Sequence, residues 1–338
     1  MDKRFFTIAL ILFTEVLGWS LILPFLPYYA ESLGATPLIV GLIMASFSLC
    51  QFISAPIIGR LSDYYGRKPM LIISQLSTMT GFIVLGFANS VWMIFLSRII
   101  DGLLGSNATL VKAYLSDLSK GKERFKSFGY FGAINGLGMF IGPAIGGFLA
   151  VINYMIPSLV AASISFVSII LTIMFLKETI KRKKKVVIKR EDYFPMKSFL
   201  KGLRKPHLKD LFIEFLLLMI GFSIITSTLS LYVKHQLGFG PSEVAGALMI
   251  VGFLMMIYQA TALPKIIDKY RVKSLKKYGL AFLALSAFLM PVITNRTAFY
   301  SVMPLFSIGV GLTRPLMTGE VSKKSRKKEY GQNMGVLD

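Results

Sequence analysis

Histidine, cysteine and acidic residues are scarce in this sequence, and each scarcity removes a class of function. Only two histidines, His207 and His235, and one cysteine, Cys50, occur in 338 residues. A single cysteine permits no intramolecular disulfide and no cysteine-based metal site, and Cys50, inside an apolar run, reads as a small buried hydrophobe. The strings GxxxxGKS/T, HExxH and GxSxG do not occur, so ATP hydrolysis is not expected, and no catalytic residue, cofactor or metal is assigned. Acidic residues number 17 against 38 Lys and Arg, a net charge of +21, which in a soluble chain would point to nucleic acid. The placement of those charges excludes that partner. Charged residues make up 16% of the chain and hydrophobic ones 54%, with a mean hydropathy of +0.64, the composition of a membrane protein.

A helix needs about 20 mainly apolar residues to cross the hydrocarbon core. That criterion predicts ten spans, at 5–29, 38–58, 69–88, 91–114, 127–150, 155–176, 211–233, 243–263, 275–293 and 298–320. The first is too long for a signal-peptide core and reads as a retained helix. Glu214, Arg314 and Glu320 intrude on the seventh and tenth. With the N-terminus in the cytoplasm, 34 of the 38 Lys and Arg fall on inner segments, and only Lys234 and Arg296 lie in outer loops, so the charge excess is a topology signal. The run Lys181-Arg182-Lys183-Lys184-Lys185 reads as a cytoplasmic loop near anionic lipid.

The polar stretch 177–210 separates six spans (1–176) from four (211–338) and reads as a basic linker. The two parts look related. Leu33-Gly34-Ala35-Thr36-Pro37 and Val40 match Leu237-Gly238-Phe239-Gly240-Pro241 and Val244 about 204 positions later, and Asp63-Tyr64-Tyr65 and Lys68 match Asp268-Lys269-Tyr270 and Lys273. Duplication of a six-span unit is the pattern of secondary transporters, and the second copy here is shorter by two spans.

Between the second and third spans stands Gly59-Arg60-Leu61-Ser62-Asp63-Tyr64-Tyr65-Gly66-Arg67-Lys68-Pro69. Its glycines permit a tight reversal, its basic residues hold the loop at the cytoplasmic surface, and Asp63 can neutralise a facing helix N-terminus or an Arg. In the fourth span Arg98 lies roughly 10 Å below the outer surface. A charge there needs a polar cavity or a partner, and Asp101 at i+3 is one. In the fifth span Gly132, Gly136, Gly138, Gly142, Gly146 and Gly147 form strips without side chains, interrupted by Pro143, on which another helix can pack closely. In the first span Glu15 sits near mid-membrane, ahead of Gly18 and Pro24, and an acid at that depth is a candidate proton carrier.

These four strings resemble, in order, motif A (GxLaDxxGRKxxx), motif B, motif C (GxxxGPxxGG) and the first-span motif of drug exporters in the major facilitator superfamily. The chain from about residue 5 to 338 resembles the drug:proton antiporter branch of that superfamily. The resemblance implies an all-α integral membrane fold of two bundles with inverted repeats, here about 10 transmembrane helices (6 + 4). It implies export of a small hydrophobic compound in exchange for protons across the cell membrane, with the bundles rocking about a central site. Glu15, Arg98 and Asp101 would carry the proton coupling, with protonation weakening the hold of the two carboxylates on Arg98. Gly59, Asp63, Gly66, Arg67 and Lys68 would form a gating loop, with Asp268 and Lys273 as second-half counterparts. Gly138, Gly142, Pro143, Gly146 and Gly147 would form the antiporter packing motif, and Trp19, Phe47, Phe131, Met139, Phe222 and Met255 are candidate cavity residues. The expected partners are the lipid bilayer, a small-molecule substrate and protons, with no nucleic acid and a monomeric state. Two rival readings use the same residues: an uptake carrier for sugars or nutrients, and a non-transporting remnant or part of a split transporter. Family members usually have twelve spans, and residues 330–338 look like the start of an eleventh. The second-half copy of the loop motif has Pro264 and Arg271 where the first has Gly59 and Gly66.

Overall fold

A computed structural model describes residues 3–118, 122–180 and 206–324; the run 181–185 and the last residues, 325–338, lie outside them. Every regular element among the described residues is helical. The first six expected spans correspond to α1 (Lys3–Ile22) with α2 (Leu26–Ser32), α3 (Pro37–Tyr65), α4 (Arg67–Gly86), α5 (Val91–Leu104) with α6 (Asn107–Leu118), α7 (Lys122–Ala150) and α8 (Met155–Phe175). The last four correspond to α9 (Pro206–Leu237), α10 (Pro241–Ile257) continuing through a π turn into α11 (Leu263–Lys269), α12 (Val272–Leu289) and α13 (Arg296–Lys324). Six of these helical stretches are long and apolar enough by themselves to cross a membrane, and the bent pair α1–α2 makes a seventh. Two shorter apolar helices, Ile134–Ala150 and Pro241–Ile257, accompany them.

Local chemistry sets the ends and breaks. The Thr36 hydroxyl accepts from the Ile39 N–H at 3.4 Å, with Pro37 just inside helix α3, an N-terminal arrangement that satisfies one free donor and pre-sets φ. The Asn295 side-chain oxygen likewise accepts from the Ala298 N–H at 2.8 Å at the start of α13. Where one helix was expected over 5–29, the chain bends by 40° between Ile22 and Leu26, because Pro24 cannot donate to the preceding turn. The fourth span is likewise divided at Gly105-Ser106. In α10 to α11 the π turn Tyr258–Ala262 precedes Pro264, and the wider turn accommodates the missing N–H.

The chain forms two compact units, Met1–Tyr193 with Phe239–Met249, and Phe194–Gly238 with Ile250–Asp338. Helix α10 therefore begins in the first and ends in the second. In the first unit, α1 packs on α7 and α8, α4 on α5 and α8, and α3 on α5. An apolar cluster of Ile8, Ile11, Leu12, Leu71, Leu110, Val111 and Tyr114 ties α1, α4 and α6 together. In the second unit α9 packs on α13 through Leu208, Phe212, Phe215, Met317 and Val321. Outward positions are apolar, such as Trp92 and Phe148, at 80% and 73% exposed, while serines and threonines are buried, the arrangement of helices that meet lipid.

Candidate functional site: a buried polar network in the first unit

Five helices of the first unit bring polar side chains together inside apolar spans. Glu15 on α1 accepts two hydrogen bonds. One comes from the Asn107 side-chain amide at 2.6 Å and the other from the Ser168 hydroxyl of α8 at 3.0 Å. The same Asn107 amide donates to Thr78 Oγ1 of α4 at 3.0 Å. The Thr78 hydroxyl in turn donates to Asp101 Oδ1 of α5 at 2.8 Å. Asp101 Oδ2 lies 3.5 Å from Arg98 Nη1. Gln75 on α4 donates to Ser168 at 2.8 Å and also faces the Glu15 carboxyl. Glu15 and the Arg98–Asp101 pair are thus joined by an unbroken path, Glu15–Asn107–Thr78–Asp101–Arg98.

The break between α5 and α6 makes that path possible. Unwinding at Gly105-Ser106 starts a new helix at Asn107 in the middle of a span, which carries the Asn107 amide to Glu15. Backbone groups freed by such a break must find partners in a medium without water. The Gly102 carbonyl accepts from the Ser54 hydroxyl at 2.8 Å and the Gly105 carbonyl from the Gln51 amide at 3.3 Å, both on α3. Arg98 is 4% exposed and lies between the rings of Phe47 and Phe82, its guanidinium carbon 6.0 and 5.7 Å from their centroids. Those ring faces favour a cation, and Asp101 supplies the opposite charge.

The expected proton-coupling residues, Glu15, Arg98 and Asp101, are therefore neighbours, but not in the expected pairing. Protonation was expected to loosen a direct hold of both carboxylates on Arg98. Only Asp101 pairs with Arg98; Glu15 is held instead by Asn107 and Ser168, and reaches Arg98 only through Asn107, Thr78 and Asp101. Asn107, Thr78, Gln75 and Ser168 were missed because uncharged polar residues in a span raise no alarm individually. Asn107 directly after Gly105-Ser106, a helix-breaking pair in mid-span, is the signal that was available.

A second cluster forms at the loop between α3 and α4, where Gly66 has φ +108°, a conformation that side chains rarely adopt. A Cβ on Gly66 would also overlap the Glu178 carboxylate. That carboxylate accepts from the Arg67 and Lys68 backbone N–H groups, each at 3.0 Å, so it caps the N-terminus of α4 from the far end of the α8 segment. The Arg67 guanidinium pairs with Asp63 at 2.5 Å and with Asp117 at 3.0 Å, and reaches the Gly59 carbonyl at 3.3 Å. The Lys68 ammonium donates to the Ile173 carbonyl at the end of α8, at 2.7 Å. Gly59, Asp63, Gly66, Arg67 and Lys68 thus lie in one cluster, with Asp117 and Glu178 as further members that spacing did not reveal. In the second unit, Asp268 belongs to α11, with its side chain outside the described residues, and Lys273 is exposed at the start of α12.

The fifth-span glycines face α1. A Cβ on Gly138 would come 2.7 Å from Val16 Cγ1, and one on Gly142 or Gly146 would overlap Ser20 or the Leu21 backbone. This approach lets the Ser20 hydroxyl donate to the Gly138 carbonyl at 2.9 Å. Helix α7 runs unbroken through the buried Pro143, and Gly147 turns to Pro241 and Ala245 instead. Of the candidate cavity residues, Phe47 flanks Arg98, while Trp19 is 41% exposed and Phe131 has its side chain outside the described residues. Phe222 stacks on Phe306 at 6.1 Å in the second unit, beside a small recess lined by Leu218, Met219, Phe222, Val310 and Arg314. The intruding acids Glu214 and Glu320 meet at Lys276, 2.5 and 2.9 Å from its Nζ, a cluster joining α9, α12 and α13.

The chain resembles known transporters along its whole length. It is 27% identical over 342 residues to the tetracycline resistance protein, class H, of Pasteurella multocida, covering 100% of this chain and 85% of the relative. With multidrug resistance protein 1 of Bacillus subtilis (strain 168) it shares 30% identity over 332 residues, covering 96% and 83%. A solved peptide transporter in complex with sulfate superposes with a TM-score of 0.80 at 17% identity, covering 99% of this chain and 85% of that one, a likeness of fold. Multiple apolar helices, the loop cluster around Gly66 and Arg67 and a sequence match to the Major Facilitator Superfamily over residues 8–338 agree: the chain is a multi-pass membrane protein that belongs to the Major Facilitator Superfamily.

Proposed function

We propose that this protein exports a small hydrophobic or drug-like compound from the cell in exchange for protons, by alternating access, with Glu15, Asp101 and Arg98 handling the proton. The observation that carries the reading is a buried carboxyl and guanidinium, Asp101 and Arg98, linked by hydrogen bonds to the half-buried carboxyl of Glu15 inside apolar spans. Charged groups are costly there and persist where they move ions or protons. The names of the relatives, tetracycline and multidrug resistance proteins, support the substrate class and the direction. In this reading the protein sits in the cell membrane with its N-terminus in the cytoplasm, where the positive loops would lie. Proton occupancy biases one conformational state and substrate the other, so each drives the other by linkage. The Gly66–Arg67–Asp117–Glu178 cluster and the fifth-span glycines would hold the first bundle together through that change. The test is proton flux into liposomes containing the purified chain, with an internal pH dye and a panel of lipophilic cations. Substrate-dependent flux is expected, reduced at least ~100-fold in Glu15→Gln and Arg98→Ala; full flux in Glu15→Gln would remove Glu15 from the mechanism.

A further inference from the structure

We propose that Asn107, together with Thr78, joins Glu15 and Asp101 into one unit that holds a single exchangeable proton, with the Asn107 amide as the positioning group between them. The inference rests on the proton-exchange reading above and specifies its site.

The first argument is charge. The ionisable groups of the network are Glu15 on α1 and Arg98 and Asp101 on α5. Helix α4 contributes the neutral Gln75 and Thr78, α6 Asn107 and α8 Ser168. Along Gly138–Gly146 the described part of α7 packs its glycines against Val16, Leu17, Ser20 and Leu21 of α1, none of them ionisable, and on α3 the Cys50 side chain lies against Gly102. With both carboxyls ionised the network carries one uncompensated negative charge; with one proton it is neutral, the state an apolar surrounding favours. Two carboxyls that share one compensating cation titrate as a pair, and the proton belongs to the pair.

The second argument is hydrogen-bond polarity. The Asn107 amide donates both to Glu15 Oε2 and to Thr78 Oγ1, and Thr78 passes its own hydrogen to Asp101. In this arrangement both carboxyls only accept. A protonated Glu15 needs an acceptor, and the network holds two buried amide oxygens without a hydrogen-bond partner, Asn107 Oδ1 and Gln75 Oε1. A half-turn of the Asn107 amide exchanges its oxygen for its nitrogen and brings Oδ1 to the position 2.6 Å from Glu15 Oε2. Thr78 Oγ1, 3.0 Å from that same position, then turns its hydrogen from Asp101 to Asn107, leaving Asp101 to Arg98 alone. Uptake of one proton at Glu15 therefore reverses the intervening hydrogen bonds as a set and leaves Asp101 ionised beside Arg98, so the pair is neutral with a single proton. Leucine at 107 or valine at 78 keeps the volume and removes this link.

The experiment is infrared difference spectroscopy of the full chain in lipid nanodiscs on stepwise acidification, reading the carbonyl band of protonated carboxyls. Glu15→Gln and Asp101→Asn are each expected to remove the same band, and the double variant no more than either single one. Asn107→Leu and Thr78→Val are expected to keep the band area but shift its midpoint by about one pH unit, the size of one lost hydrogen bond to a buried carboxyl, with Asn107→Gln restoring it. Half the band lost in each single variant and all of it in the double would overturn the shared proton, leaving proton exchange intact with two independent carriers. An unshifted midpoint in both Asn107→Leu and Thr78→Val would overturn the positioning role. A wild-type spectrum with no band sensitive to Glu15→Gln would overturn the proton-exchange reading itself.

Discussion

Gly34 and Gly238 lie 204 residues apart and share one backbone twist, φ +87° and +66°. Each ends a helix and is followed three residues later by a proline, Pro37 or Pro241, that leads the next one. The two halves therefore reuse the same turn where sequence is shared. At the next shared loop they part. Gly66 has φ +108°, whereas Arg271, the corresponding residue, caps α12 at φ −66°. The first half closes that loop with a left-handed glycine and a distant carboxylate; the second uses an ordinary extended residue. The interiors diverge too. Where the first unit packs Leu71 among aliphatic side chains, the second places Lys276 between two carboxylates. A duplicated scaffold keeps its turns when glycine is kept, and its chemistry follows the side chains placed upon it.

The comparison can be broken or sharpened by substitution, with stability read from denaturant titration in mixed micelles. The largest effect is expected from Lys276→Met, which removes the cation between Glu214 and Glu320 and should cost about 2.5 kcal/mol, less than a fully buried pair because Glu214 is 42% exposed. Replacing all three by Met and Leu should return most of it, because well-packed apolar residues often match a buried ionic cluster. Gly66→Ala follows at about 2 kcal/mol, the sum of a left-handed backbone and a displaced cap, while Arg271→Gly should stay within about 0.5 kcal/mol. A small effect of Gly66→Ala would show that the loop difference between halves is incidental. Glu178→Ala should cost about 1 kcal/mol as a lost cap. Smallest is Ser20→Ala, at about 0.6 kcal/mol for one interhelical hydrogen bond in a membrane. Its corresponding residue in the second half, Ile224, is 58% exposed, and Ile224→Ala should leave stability unchanged.

The helical framework was legible because ten apolar runs, punctuated by proline and glycine, leave few alternatives for a chain that must satisfy its own backbone in lipid. Motif residues around Gly66 could be found because their spacing is local. What could not be read was any partnership between distant elements. Glu15 meets Asn107 across 92 positions, and Arg67 receives Glu178 across 111; nothing in either neighbourhood announces the other. Glu214 and Glu320 stand out as intruders in their spans, whereas nothing in the sequence marks Lys276 as their partner, because its burial comes from the packing of α9, α12 and α13 rather than from its neighbours in sequence.

The interruption between α5 and α6 has a mechanical consequence. Most spans transmit a push along their whole length, since bending one breaks a backbone bond that lipid cannot replace. Here the break is already made, and its loose carbonyls rest on Ser54 and Gln51 of a single neighbour, α3. The fourth span is therefore a jointed rod whose joint is keyed to one adjacent strut. Because Asn107 follows this joint directly, a displacement of α3 would be felt first at its hydrogen bond to Glu15.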